Sequence, residues 1–228
     1  DFFKNVEPRL RANIIYPGDF FKDRNQELRT GIYVGSTPVS PLFDDYSYAT
    51  SEKTYQQLDA YTKQPKTLYL SPNANSSQEQ VPLEDGTTMN ASGANGPFYA
   101  NGEGSLTGLL VRKYLNPDAS VEIGEGKCAQ HFILMRYGEV LLNYAEAAFE
   151  LGKTADALDA INKIRSRAGI AALSTVNREQ IRHERKVELA FEGHRYWDLR
   201  RWRIAKDVIP VNRSGLRYIL DYNTRKYQ

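Results

Sequence analysis

The chain has 228 residues, 41% of them apolar and 25% charged, with a net charge of +2 and a mean hydropathy of −0.57. That is enough chain to bury a core, and the composition excludes a disordered, collagenous or disulfide-stapled protein. The longest apolar patch, residues 132–135, falls far short of the roughly 18 residues that read as a membrane-spanning helix.

The charge is unevenly spread. Residues 1–130 hold 12 Lys and Arg against 16 Asp and Glu, whereas residues 131–228 hold 18 against 12. Nine of the ten prolines and eleven of the sixteen glycines also fall before residue 131, which divides the chain into a loop-rich region, 1–130, and a helical region, 131–228. Cys128 is the only cysteine, so no intrachain disulfide can form.

In the first region, Asn13 to Tyr16 reads as a short strand closed by the Pro17-Gly18 turn, and Thr30–Val34 and Lys66–Leu70 read as two more. Residues 71–105 are rich in Asn, Ser and Gly, and loops of that length often carry function. Nine of the fifteen tyrosines lie here, with Tyr46, Tyr48, Tyr55 and Tyr61 close together. Such tyrosines either pack beneath the loops or form a platform for a ligand with apolar faces and many hydroxyls, such as a sugar. In the second reading Tyr46, Tyr48 and Tyr55 are the platform, and Asp44 and Asp45 bond hydroxyls.

Other patterns carry less. Gly102–Gly108 lacks the Gly-Lys-Ser/Thr ending of a phosphate loop. The pairs Asp44-Asp45 and Glu84-Asp85 lack EF-hand spacing and read as exposed acidic turns. His131, His183 and His194 are not completed into a zinc site, and nothing in the chain calls for a cofactor.

From Leu134 the period becomes 3.6. Leu141, Tyr144, Ala145 and Ala148 form the expected inner stripe of one helix, stopped by Gly152. Thr154 is expected to cap the next, with Ala157, Ile161, Ile164 and Ala168 inward and Gly169 at its end. A short connection makes the two an αα-hairpin, and their spacing resembles a tetratricopeptide unit. A third helix is expected from the Asn177/Gln180 capping box to about Glu192, with Val187, Ala190 and Phe191 as its apolar edge. A fourth is expected over Arg195–Lys206, anchored by Trp197 and Trp202. The fold class is therefore mainly α: a tetratricopeptide-like scaffold beside a long loop-rich region with short strands.

Glu184, Glu188 and Glu192 stack at i, i+4, i+8, which is unfavourable unless cations reach them. Arg165, Arg167, Arg185, Arg195, Arg200 and Arg201 are the expected partners, with Asp198 in the same network. A catalytic pair of Glu188 and Glu192, as in glycoside hydrolysis, would instead need both carboxylates exposed in a cleft. The basic-aromatic run from Arg195 to Arg203 reads as an amphipathic packed helix rather than a nucleic-acid surface, given the acidic first region.

Three blocks now resemble the SusD/RagB family of outer-membrane nutrient-binding lipoproteins: Arg136-Tyr-Gly-Glu139-Val-Leu-Leu-Asn-Tyr-Ala145-Glu146-Ala147, then residues 157–169, then Glu184-Arg185 through Phe191-Glu192-Gly193 to Arg195-Tyr-Trp-Asp198-Leu199-Arg200-Arg201-Trp202. They occur in the family's order and spacing over residues 134–203. The resemblance implies a lipid-anchored cell-surface protein of the outer membrane that is not an enzyme. It implies capture of glycans, or in some branches peptides, for a TonB-dependent transporter of the SusC type. A protein-binding helical scaffold with no small ligand is the alternative. The resemblance also implies that the motif residues build the scaffold while variable loops hold the ligand. It further implies that this is the C-terminal part of a longer protein, whose N-terminal half is a partner of these residues. Cys128 is internal and does not match the family's lipid-bearing cysteine.

Overall fold

The computed structural model describes residues 3, 5–35, 54–58, 65–70, 80–94, 109–122, 124, 126, 129–209, 218–223 and 225–227, the strands at 54–58, 65–70 and 226–227 by their backbone alone. It is a mostly helical, tetratricopeptide-like scaffold joined to short strands.

The first region starts with helix α1, Pro8–Asn13, whose Pro8 opens the first turn where its missing N–H costs nothing. Strand β1, Ile14–Ile15, pairs antiparallel with β9, Leu110–Val111. The hairpin of β2, Phe20–Phe21, and β3, Arg24–Asn25, follows the Pro17-Gly18 turn. Ile15, Phe21 and Leu28 pack as a small core beneath them.

The largest sheet among the described residues has five strands. Strand β4, Gly31–Val34, pairs antiparallel with β6, Pro65–Leu70, which pairs with β5, Thr54–Leu58. The other edge comes from the end of the chain. Strand β10, Ile219–Asp221, lies parallel to β4 with Leu220 opposite Ile32, and β11, Lys226–Tyr227, pairs antiparallel with β10. The loop-rich region is thus closed by residues that follow the helices in sequence. A second hairpin, β7, Gln80–Pro82, and β8, Thr88–Asn90, packs Val81, Leu83 and Ala91 against Ile32.

The helical region begins with α2, Tyr137–Glu150, and α3, Thr154–Arg167, which pack as a hairpin. Both end in the same motif. Gly152 N–H donates to Phe149 O and Lys153 N–H to Ala148 O; Gly169 N–H donates to Ser166 O and Ile170 N–H to Arg165 O. Both glycines have φ near +70°, as this reverse turn requires. Helix α3 is capped differently from expectation: Lys153 is the N-cap, Thr154 is already helical, and no side chain caps the turn.

The buried face of α2 is also rotated from expectation. Leu142, Ala145 and Ala148 face the core with Ala157, Ala160, Ile161 and Ile164 of α3, while Leu141 is partly buried and Tyr144 is 52% exposed. Leu141 and Leu142 are adjacent, so the apolar pattern fits either face, and packing against α3 selects Leu142.

Helix α4, Arg178–Glu188, starts at Asn177, whose side chain accepts from Gln180 N–H at 2.8 Å while Gln180 Oε1 accepts from Asn177 N–H at 2.9 Å. It ends four residues before the expected position. Leu189 leaves the helix, Phe191 has φ of +65° and Gly193 +80°, so residues 189–193 form a turn. Its inward apolar residues are Ile181 and Leu189; Val187 and Ala190 are only partly buried and Phe191 is exposed.

The last expected helix is two. Helix α5, His194–Arg201, and α6, Ala205–Val208, are separated where Arg203 adopts φ of +58° and repeats the α2 and α3 ending, Arg203 N–H to Arg200 O and Ile204 N–H to Leu199 O. Trp197 is no anchor, being 65% exposed, whereas Trp202 is partly buried with the guanidinium groups of Arg182 and Arg201 against its ring.

Candidate functional site

Among the described residues, the most densely built polar assembly lies where α1, α3, α4 and the start of α2 meet. Glu184 and Glu188 are on the inner face of α4, and Glu192 is in the turn beyond it; all three are buried. Three carboxylates so placed would each cost several kcal/mol without partners.

Each is met by cations from elsewhere in the chain. Glu184 accepts from Arg9 Nη1 at 2.6 Å and from Arg165 Nη1 at 2.9 Å. Glu188 accepts from Arg9 Nη1 at 3.0 Å, from Arg136 Nη1 at 2.7 Å, and from Arg167 Nη2. Glu192 accepts from Arg136 Nε at 2.9 Å and from Lys113 Nζ at 2.6 Å. Arg136 Nη2 donates to the Glu188 carbonyl at 2.6 Å, and Lys113 Nζ to the Ala190 carbonyl at 2.9 Å, which ties the turn after α4 to both cations. Glu7 adds a fourth carboxylate against Arg9.

The electrostatics follow from that geometry. Burial alone would raise the Glu192 carboxyl, but the hydrogen bonds and charges of Arg136 and Lys113 more than offset it and hold it below the ordinary range. Burial opposes the charge on Arg9, but Glu7, Glu188 and Glu184 push it above its ordinary value. Arg136 is raised too, with burial opposed by Glu192 and Glu188.

A second pairing locks α4 to α5 and α2. Arg185 donates from Nε to Asp198 Oδ2 at 2.8 Å and from Nη1 to Asn143 Oδ1 at 2.7 Å. Arg201 Nε donates to Asp198 Oδ1 at 2.8 Å, and its terminal nitrogens hold both oxygens of Glu146, which also accepts from Trp202 Nε1 at 2.7 Å.

The structure thus brings Arg165, Arg167, Glu184, Glu188 and Glu192 into one assembly and Arg185 and Asp198 into another. Arg195 and Arg200 join neither. Arg200 Nη1 donates to Tyr196 Oη at 2.8 Å, and Arg195 lines a surface depression on the outer side of α4. Both sit on α5 beyond the turn at 189–193, which removes them from the glutamate side. Arg9, Lys113 and Arg136 occupy the places expected for them.

Glu188 and Glu192 therefore do not form a hydrolytic pair. Each is buried and held by at least two cations, with neither oxygen set aside for a substrate. An open cleft of about 390 Å³ lies over the assembly; Pro8, Ala12, Asn13 and Ile133 line it together with Arg9, Lys113, Arg136, Arg167 and Glu188, whose carboxylate oxygens are already taken by the arginines. Among the described residues no group of three or more His, Cys, Asp or Glu is placed to hold a metal, and no helix is long and apolar enough to cross a membrane. Of the expected ligand residues, Asp44, Asp45, Tyr46 and Tyr48 lie outside the described residues, and Tyr55 lies on β5, which is described by its backbone alone. Glu84 and Asp85 form an exposed turn in which Asp85 accepts from Thr87 N–H and hydroxyl.

The model of the SusD family matches residues 1–227. The chain belongs to the SusD family. SusD-like protein P38 of Formosa agariphila is 32% identical to it over 118 residues, which are 46% of this chain and 23% of that protein. SusD-like protein P25 of the same organism is 42% identical over 85 residues, 34% of this chain and 16% of that protein. The crystal structure of a SusD-like protein from Bacteroides fragilis matches with a TM-score of 0.52 and 26% identity, covering 90% of this chain and 29% of that one. This SusD-family chain thus spans less than a third of each of these proteins.

Arg9, Lys113 and Arg136 were missed in the sequence because they lie far from the glutamates; Arg9 is 175 residues from Glu184. One signal pointed to Arg136: it stands immediately before α2, inside the first of the three blocks that resemble the family.

Proposed function

We propose that this chain is part of a surface nutrient-binding protein of the outer membrane, which captures an oligo- or polysaccharide and passes it to a SusC-type TonB-dependent transporter. The reading is carried by the family match over residues 1–227. It is supported by the fate of the charged motif residues. Those placed in the two assemblies are spent on holding α1, α2, α3, α4 and α5 together, as a scaffold needs and a hydrolase does not.

Capture then falls to the loops. Tyr46, Tyr48 and Tyr55 would stack on sugar faces, with Asp44 and Asp45 accepting from hydroxyls. The test is a glycan screen by calorimetry on the protein and on its triple Tyr→Ala variant at 46, 48 and 55. Loss of binding with an unchanged melting temperature supports the platform, and unchanged affinity removes these residues.

A second reading, contact with a protein surface, is favoured by one observation. Tyr137, Val140 and Tyr144 follow helical spacing along the outer side of α2, Leu151 follows at its C-cap, and all four are substantially exposed, Tyr137 by 71%. Replacement of Tyr137 and Tyr144 by Glu would weaken that contact and leave glycan affinity intact.

A further inference from the structure

The inner side of α4 matches cations to carboxylates; its outer side does not. Arg182, His183 and Lys186 of α4 and Arg195 of α5 converge on an open depression of about 320 Å³, whose other walls are Ile204, Val208 and one acid, Glu179. Among the described residues, neither Lys186 nor Arg195 has an ion-pair partner.

Arg182 is the fixed part of this site. Its guanidinium lies 4.9 Å from the centre of the Trp202 ring, and Trp202 is itself held by Glu146, so the cation is positioned before any ligand arrives. Its terminal nitrogens are largely unspent: among the described residues their one hydrogen bond is a long contact of 3.3 Å from Nη1 to Glu179, while Nε is buried.

We infer that this depression binds the anionic group of an acidic saccharide, a sulfate ester or a uronate carboxylate. The inference rests on the glycan reading above. A neutral sugar would have no use for three permanent cations around one carboxylate. Arg182 and Arg195 offer paired N–H donors that fit a planar carboxylate or one face of a sulfate, and Lys186 adds a mobile point charge. Ile204 and Val208 supply an apolar wall for the C–H face of the ring. The volume is within the range of about 300–1,000 Å³ seen for small-ligand sites. A concave site of this size suits one charged ring better than an acidic protein surface, which would spread its carboxylates over a wider face.

The test is calorimetry on the full chain with three oligosaccharides of similar length, one sulfated, one carrying uronates and one neutral. They are measured on the native protein and on the double variant Lys186→Gln/Arg195→Gln. At least one acidic probe is expected to bind about tenfold more tightly than the neutral one, and more weakly as salt rises. The variant is expected to lose about tenfold in that affinity while keeping its melting temperature and any affinity for neutral glycan. Equal binding of acidic and neutral probes, no binding of either acidic probe, or unchanged affinity in the variant overturns the inference. Binding of polyglutamate without either acidic saccharide also overturns it, in favour of an acidic protein partner. A protein that binds neutral glycan through Tyr46, Tyr48 and Tyr55 but no acidic one overturns this inference and leaves the proposed function standing.

Discussion

Arg136 joins two carboxylates of the α4 end with one guanidinium: Nη1 donates to Glu188 at 2.7 Å and Nε to Glu192 at 2.9 Å. Arg136 is also the N-cap residue of α2, so its side chain fixes where α2 begins relative to where α4 ends. Lys113 reaches Glu192 from the loop-rich region and Arg9 reaches Glu184 and Glu188 from α1, so the same assembly holds the two compositional regions together.

Arg136→Gln should therefore be severely destabilising. The change leaves Glu188 and Glu192 buried with fewer cations, and breaking a buried ion pair from one side costs about 3–5 kcal/mol. Arg136 is partly exposed, which puts the expected loss near the low end, about 3 kcal/mol. Urea unfolding measures it, and a loss below about 1 kcal/mol would show that water or a neighbouring cation substitutes for Arg136.

Gly138 lies beneath that guanidinium. A Cβ there would run into Arg136 Nη1 and sit 3.2 Å from Glu188 Oε1. Alanine gains up to about 1 kcal/mol over glycine in a helix, so intrinsic preference alone makes Gly138→Ala stabilising. We expect the reverse, with the melting temperature falling because Arg136 is displaced from Glu188. In an Arg136→Gln background the severe clash is gone and only the 3.2 Å approach to Glu188 Oε1 remains, so the same substitution should become neutral or stabilising. A double-mutant cycle without that change of sign would rule out the steric account.

Acid should unfold the protein through Glu192 and Glu146. For both, burial would raise the carboxyl, but arginine and other donors hold it below its ordinary value of 4.5. The unfolded chain takes up these two protons near pH 4.5, whereas the folded chain takes them up only at lower pH. Between those points the unfolded state binds more protons, so stability is fully present above about pH 5 and falls as pH drops through 4 and below. Urea midpoints across pH 3–7 report this loss, and Glu146→Gln should flatten the acid limb. A midpoint independent of pH below 4.5 would show that neither group is coupled to folding.

Local chemistry was legible in the sequence and distant chemistry was not. The Asn177/Gln180 capping box and the glycine ends at Gly152 and Gly169 are encoded within a few residues, and all are present. The glutamate column announced a need for cations, but not which ones, because Arg9, Lys113 and Arg136 are neighbours only after folding. The five-stranded sheet was equally hidden. Ile219–Asp221 is three residues long, too short for a period, and gains its place from β4, almost two hundred residues earlier. The early stop of α4 depends on the turn through Phe191 at positive φ, which Tyr114 Oη supports by donating to the Phe191 carbonyl at 3.3 Å; no propensity scale favours phenylalanine there.

The face of α2 offers the clearest measurement of that difference. Leu141 and Leu142 are chemically identical neighbours and the apolar period accommodates either, yet Leu142 is the one fully enclosed with Ala145 and Ala148 against α3. Leu142→Ala should leave a cavity between the two helices and cost about 2–5 kcal/mol. Leu141 is only partly buried, so Leu141→Ala should cost about 1 kcal/mol. Ala157 and Ala160 of α3, in the same buried cluster, have little side chain with which to fill the space, which favours the upper half of the range for Leu142. Thermal and urea unfolding of the two variants decide the register directly. Equal losses, or a larger loss at Leu141, would mean that α2 is rotated about its axis from the orientation described.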